Sequence, residues 1–227
     1  MERHFHEELE QFNANILKMA ELTEQGLDKA FQALRDQNVP LAEEVIRADK
    51  VIDELELKVD ELAVALLALN QPMAVDLRMI TTGMHVNAAI ERIADLVVNI
   101  AQRAIEVSRE PLLKPLIDIE KMTHVAKRMV RGASDALIQR DIRLAKEVIM
   151  SDGESNALRD AVYDEVIHDH IVKDGSLAPR AVPLILVARD LERICDNAAA
   201  IAEDVIYMIQ AKTVRHHPER LENGGLS

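Results

Sequence analysis

Apolar residues recur along this chain at helical spacing, and short breaks cut the pattern into six amphipathic stretches. From His6 to Gln37 the apolar stripe is Leu9, Phe12, Ile16, Met19, Leu22, Leu27, Phe31 and Leu34. Asn38-Val39-Pro40 ends it, with Pro40 suited to the first turn of a second helix that runs to Leu69 and stops at Asn70-Gln71-Pro72. A third helix is predicted over Ala74–Val107. The two prolines of Glu110-Pro111-Leu112-Leu113-Lys114-Pro115 mark the boundary between halves. Three more helices are predicted over Leu116–Gln139, Ile142–Val172 and Ala178–Ala211, with Lys173-Asp174-Gly175-Ser176 as a loop.

The second half repeats the first. At a shift of 103, Ile16-x-Lys18-Met19 returns as Ile119-x-Lys121-Met122, and Leu41-Ala42-x-Glu44-Val45-Ile46-x-x-Asp49 returns as Leu144-Ala145-x-Glu147-Val148-Ile149-x-x-Asp152. Twelve of the 34 positions from 16 to 49 are identical at this shift. The third helices align at 101, so the second copy has lost two residues near the corner between its second and third helices. The expected fold is all-α: two tandem pseudo-symmetric three-helix bundles, residues 1–110 and 111–212, followed by a frayed tail over 213–227.

The third helix of each half carries the most regular pattern. Ile90, Ile93, Val97, Ile100 and Ala104 share one stripe, opposite Glu91, Asp95 and Asn99. In the second copy Leu191, Ile194, Ala198, Ile201 and Val205 stand opposite Glu192, Asp196 and Glu203. On the second helix Asp49, Asp53, Glu56 and Asp60 fall within about 60° of arc. Helices two and three are neighbours in a three-helix bundle, so the two acidic stripes are placed to converge. Carboxylates about 5 Å apart across a surface groove repel by roughly 1–3 kcal/mol, which a hard cation such as Mg²⁺, Ca²⁺, Mn²⁺ or iron would remove. The alternative is a solvated helix face, which any soluble helix shows. The fifth helix keeps Asp152 but has Asn156, Arg159 and Tyr163 in place of Asp53, Glu56 and Asp60.

Composition narrows the chemistry. Lys plus Arg total 27 against 40 Asp plus Glu, a formal charge of −13, which disfavours nucleic acid and anionic lipid. Phe, Tyr and Trp together number five, too few for base-stacking platforms. Cys195 is the single cysteine, which excludes an intrachain disulfide and reads as a small core residue rather than a nucleophile. The longest apolar runs, such as Ala63 to Leu69, fall short of the ~20 residues of a membrane span, and the N-terminus lacks a signal-peptide pattern, so a cytoplasmic location is expected. No phosphate-binding Gly loop, nucleophile elbow or zinc-type Cys/His spacing occurs. Glu165-Val166-Ile167-His168 is one Glu-x-x-His, whereas a ferritin-like di-iron site needs two, and His168 and His170 face differently on a helix. His216-His217 falls in the tail. Arg92 and Arg193 flank the acidic stripes and are expected to pair with nearby acids.

Several segments together resemble the PhoU family of bacterial phosphate-signalling proteins: Asp49-Lys50-Val51-Ile52-Asp53-Glu54-Leu55-Glu56, Gln71-Pro72-Met73-Ala74-x-Asp76-Leu77-Arg78, Glu91-Arg92-Ile93-Ala94-Asp95 with Asn99-Ile100-Ala101, Leu191-Glu192-Arg193-Ile194-Cys195-Asp196, and Val214-Arg215-His216-His217. The resemblance implies two pseudo-symmetric three-helix bundles whose acidic motifs hold metal ions (Mg, Mn, Fe, Zn or Ni). Carried over residue by residue, it makes Asp49, Asp53, Glu91 and Asp95 metal ligands of the first half, and Asp152, Glu192 and Asp196 those of the second. It also implies a non-enzymatic regulator, a homodimer, that links the cytoplasmic ATPase subunit of a phosphate ABC transporter to a phosphate-sensing histidine kinase and keeps the starvation response off. The sequence departs from the family at Ala94 and Cys195, where Gly is common, and at Asn156 and Ala200, which replace polar or acidic residues. The readings from other classes are a metal-storage or metal-dependent helical enzyme and a purely structural helical adaptor.

Overall fold

The computed structural model describes residues 2–212 and 214, with side chains from His4 onward. Helix α1 spans Glu2–Arg35, α2 Val39–Asn70 and α3 Ala74–Val107. The second half consists of α4 Ile117–Gln139, α5 Ile142–Met150, α6 Asp152–Asp164, a π-wound stretch Glu165–Ile171, a 3₁₀ turn Gly175–Leu177 and α7 Ala178–Gln210. No strand occurs among the described residues.

The corners explain why the helices stop where they do. Gln37 turns left-handed at φ 51°, and the next residue, Asn38, caps α2 by accepting from the Leu41 amide at 3.1 Å. The equivalent corner repeats both devices. Arg140 has φ 51°, and Asp141 accepts from the Arg143 amide at 2.7 Å and from that of Leu144 at 3.3 Å. The duplication is therefore preserved in backbone geometry as well as in sequence.

The fifth rod departs from the uniform helix expected over 142–172. At Ser151 the amide is shared between the Glu147 and Val148 carbonyls, which tightens the turn, and the run Ser151-Asp152-Gly153 is poor in helix formers. The last turns then widen into the π-wound stretch. Lys114, from the linker between halves, has its side chain buried and pairs with Glu165 at the start of that stretch. The Glu-x-x-His acid is thus held by a protein cation, and among the described residues it has no second such motif beside it.

Within each half the three helices pack on one another, and the halves meet through α3 against α7 and α1 against α4. The α3–α7 seam is antiparallel. The Arg78 Nε donates to the Met208 carbonyl at 3.2 Å, and His85 Nδ1 lies 3.8 Å from Asp204 Oδ2. The stripes Ile90, Ile93, Val97, Ile100, Ala104 and Leu191, Ile194, Ala198, Ile201, Val205 are all buried, as their spacing requires. Cys195 is fully buried, and desolvation pushes its thiol up to about 12, consistent with a core residue. The frayed tail expected from Thr213 lies outside the described residues apart from Val214, which is packed into the core, and His216-His217 also lies outside them.

Candidate cation site on the acidic helix faces

Helix α2 turns Ala42, Val45, Ile52, Val59, Ala63 and Leu66 into the bundle, which leaves Asp49, Asp53, Glu56 and Asp60 on its flank. Helix α3 buries Ile90, Ile93, Ala94 and Val97 and so brings Glu91 and Asp95 to the same flank. The two stripes do meet. The carboxyl of half-buried Asp49 is raised to about 6, first by desolvation and then by the charges of Asp53 and Asp95. Glu91 is raised by desolvation, then by Asp95, Glu56 and Asp53. Desolvation, Asp60 and Asp53 likewise raise Glu56.

Among the described residues none of these six acids has a Lys, Arg or His within ion-pair distance. Asp60 is satisfied differently. Asn87, buried one turn before Glu91, donates to Asp60 Oδ1 and to the Glu56 carbonyl, each at 3.0 Å. Arg92 is exposed and makes no ion pair among the described residues, and it lowers Glu91 only through space; Arg193 acts in the same way on Asp196. The expected pairing of these arginines with neighbouring acids is therefore replaced by long-range screening.

The first-half donor set is all oxygen and uncompensated, which suits a hard cation. It is not a preformed cage: among the described residues no three Asp, Glu, His or Cys side chains are gathered tightly enough to hold a metal ion as they stand. Beside it lies a groove of about 110 Å³ whose lining includes Gln25, Gly26, Asp49, Val51 and Val97.

The second half differs at the equivalent place. Arg159 NH1 donates to Glu192 Oε1 at 2.6 Å and to Asn156 Oδ1 at 3.0 Å, and Asn156 Nδ2 donates to Asp152 Oδ2 at 3.1 Å. Asp152 Oδ1 is buried without a hydrogen-bond partner. Asp196, exposed overall, still has its carboxyl raised to about 6 by desolvation, Glu192 and Asp152, while Arg159 and Arg193 pull it down. Asp152, Glu192 and Asp196 are thus brought together as expected, but with a guanidinium among them. A metal ion at that set would have to compete with the guanidinium already bonded to Glu192. Glu56 lay on the predicted acidic stripe without being assigned as a ligand, and Asn87 was the member that sequence reasoning missed; its only signal was its position four residues before Glu91.

Raised carboxyls fix the sign of a pH effect. A group whose folded pKa exceeds its unfolded value contributes stability that is present at low pH and lost as pH rises through the folded value. With chelator present, the protein should gain heat stability on going from pH 7.5 to 5.5. Over this window Asp49 and Asp196 together contribute about 1 kcal/mol after discounting for solvent screening, or a Tm rise of about 2–4 °C. Differential scanning fluorimetry reads this directly, and a fall in Tm would mean that the acids are not desolvated.

The family model for the PhoU domain matches residues 16–104 and 119–205. The start of the second match is shifted by 103 and its end by 101, the same two-residue loss read from the internal repeat. A phosphate-specific transport system accessory protein PhoU homolog from Aquifex aeolicus is 40% identical over 209 residues, covering 92% of this chain and 94% of that protein. The crystal structure of PhoU from Pseudomonas aeruginosa superposes with a TM-score of 0.88 at 32% identity, covering 92% of this chain and 100% of that one. A phosphate transport system regulatory protein PhoU from Streptococcus pneumoniae shares the fold at a TM-score of 0.85 and 23% identity.

Proposed function

This chain belongs to the PhoU family, and on that premise we propose that it is a non-enzymatic regulator accessory to a phosphate-specific ABC transporter. It works in the cytoplasm as a homodimer, couples the transporter's ATPase subunit to a phosphate-sensing histidine kinase, and holds both uptake and starvation gene expression down when phosphate is plentiful. No helix among the described residues is long and apolar enough to cross a membrane; in this reading contact with the transporter runs through protein surfaces.

The observation that carries the cation-dependent part is the first-half face. Asp49, Asp53, Glu91 and Asp95 converge from two helices, and among the described residues none of them forms an ion pair with a protein cation. A bound divalent or trivalent metal ion supplies the missing positive charge and nothing further is asked of it. The chain's own residues do the rest: α2 and α3 present the carboxylates, the buried stripe of α3 fixes their height, and Asn87 ties α3 to the α2 backbone at Glu56. Neutralising that face removes the repulsion between α2 and α3 and presents partners with a surface of defined shape and reduced charge.

Isothermal titration of the purified protein against the ATPase subunit and against the kinase's cytoplasmic portion tests this reading. Association with both, at least 10-fold tighter with Mn²⁺ than with chelator, is the expected result. Equal affinity in chelator would remove the metal from the mechanism, and binding to neither partner would remove the coupling role.

A further inference from the structure

The two halves meet the same electrostatic problem with different cations, and one pair of equivalent positions separates them. Glu56 on α2 and Arg159 on α6 are related by the 103-residue shift, and Glu91 and Glu192 by 101. In the first half the charge of Glu56 reaches Glu91; in the second, Arg159 bonds Glu192. We infer that this pair of positions selects the cation each half uses: Glu56 enlarges the first-half carboxylate set, while Arg159 is the resident cation of the second half, which takes no metal ion. The inference deepens the cation-binding reading of the first half and rests on it.

The geometry around Arg159 is that of a filled site. One guanidinium nitrogen sits 2.6 Å from Glu192 Oε1 and 3.0 Å from Asn156 Oδ1, and the other two hold Asp160 at 3.0 and 2.8 Å. Asn156 caps one oxygen of Asp152. A guanidinium cannot be deprotonated in a protein, so a metal ion approaching Glu192 meets a permanent positive charge already in place. What remains free is one oxygen of Asp152 together with Asp196, against five carboxylates in the first half.

Neighbouring substitutions point the same way. The first-half groove beside Asp49 is lined by Gln25, Gly26 and Val51. The equivalent positions in the second half are Arg128, Met129 and Glu154. Met129 is buried, and Arg128 and Glu154 are joined across the rim by an ion pair of 2.5 Å. At these three positions the second copy carries larger or charged side chains where the first has Gln25, Gly26 and Val51.

Reciprocal exchange tests this in the full chain, with Mn²⁺ as the probe and stoichiometry read by isothermal titration and elemental analysis. Wild type should bind through the first half only, losing at least 10-fold in affinity in Glu91→Ala/Asp95→Ala. Glu56→Arg should reproduce that loss. Arg159→Glu should add a second class of sites that survives in the Glu91→Ala/Asp95→Ala background. A readout independent of metal is the Tm in chelator: Arg159→Met should lower it, and Glu192→Gln added to Arg159→Met should recover it. Unchanged stoichiometry in Arg159→Glu, or wild-type binding that survives Glu91→Ala/Asp95→Ala and is lost in Glu192→Ala, overturns the inference. Binding by Arg159→Glu where wild type binds nothing would uphold the role of Arg159 and refute the first-half reading. If neither binds, both are refuted.

Discussion

The Glu91→Ala/Asp95→Ala double variant is expected to be more heat-stable than wild type without divalent cations, and to gain nothing when they are added. The two effects have one cause. In the cation-free protein Glu91 and Asp95 lie among like charges with no ion-pair partner, and desolvation raises Glu91 further. Removing both relieves about 1–2 kcal/mol of repulsion, or a Tm rise of about 2–6 °C for a chain of this size. In wild type a cation held at 100 times its dissociation constant stabilises the fold by about 2.7 kcal/mol, because it binds the folded carboxylate set and not the unfolded chain. The variant forfeits that gain. Scanning calorimetry in chelator and in saturating Mn²⁺ reads both changes. A double variant that is less stable than wild type in chelator would show the acids to be structural rather than strained. Stability given up at rest and restored by a ligand is a trade common at functional sites.

The other large effect lies in the core. Gly83→Leu should lower stability by about 3 kcal/mol and the Tm by about 6–12 °C. A Cβ at Gly83 would fall inside the contact distance of the Phe12 ring at Cε1 and Cζ and lie 3.3 Å from Ile16 Cδ1, and Phe12 is itself buried. Glycine in a helix interior costs about 1 kcal/mol relative to alanine, so its presence in α3 reflects the close approach of α1. Phe12→Ala alone should cost about 3–5 kcal/mol through the cavity it leaves. Combining Phe12→Ala with Gly83→Leu should cost less than the sum by at least about 1 kcal/mol, since the leucine enters the space the ring vacates. Chemical denaturation of the three variants measures the coupling, and strict additivity would mean that the two positions do not touch.

Much of this was legible from residue order. The apolar periods of α1 to α4 and α7 place their helices to within a few residues, and the repeat at a shift of 103 predicts both corners, where Gln37 and Arg140 turn left-handed before Asn38 and Asp141 cap. Periodicity alone did not disclose the break at Ser151 or the π-wound stretch from Glu165, because both leave the apolar spacing of the fifth rod nearly intact. The linker residue Lys114 carries no pattern that would assign it to Glu165, a contact made across 51 residues.

The repeated Glu-Arg-Ile-x-Asp stretch marks the same division. Sequence by itself determined that one face of each third helix is buried and that Glu91, Asp95, Glu192 and Asp196 lie on the other, because helical period fixes the direction of every side chain relative to its own axis. Which charges arrive opposite them depends on how neighbouring helices are placed and turned, and that is a property of packing. The sequence placed the acids of α2 to converge on the first pair; only the tertiary structure decided that they do so without an ion pair among the described residues, whereas Arg159 reaches Glu192 in the second half. Two copies alike along the chain therefore differ in net charge where their helices meet. Electrostatic energy depends on distance through space, and distance along the sequence does not report it.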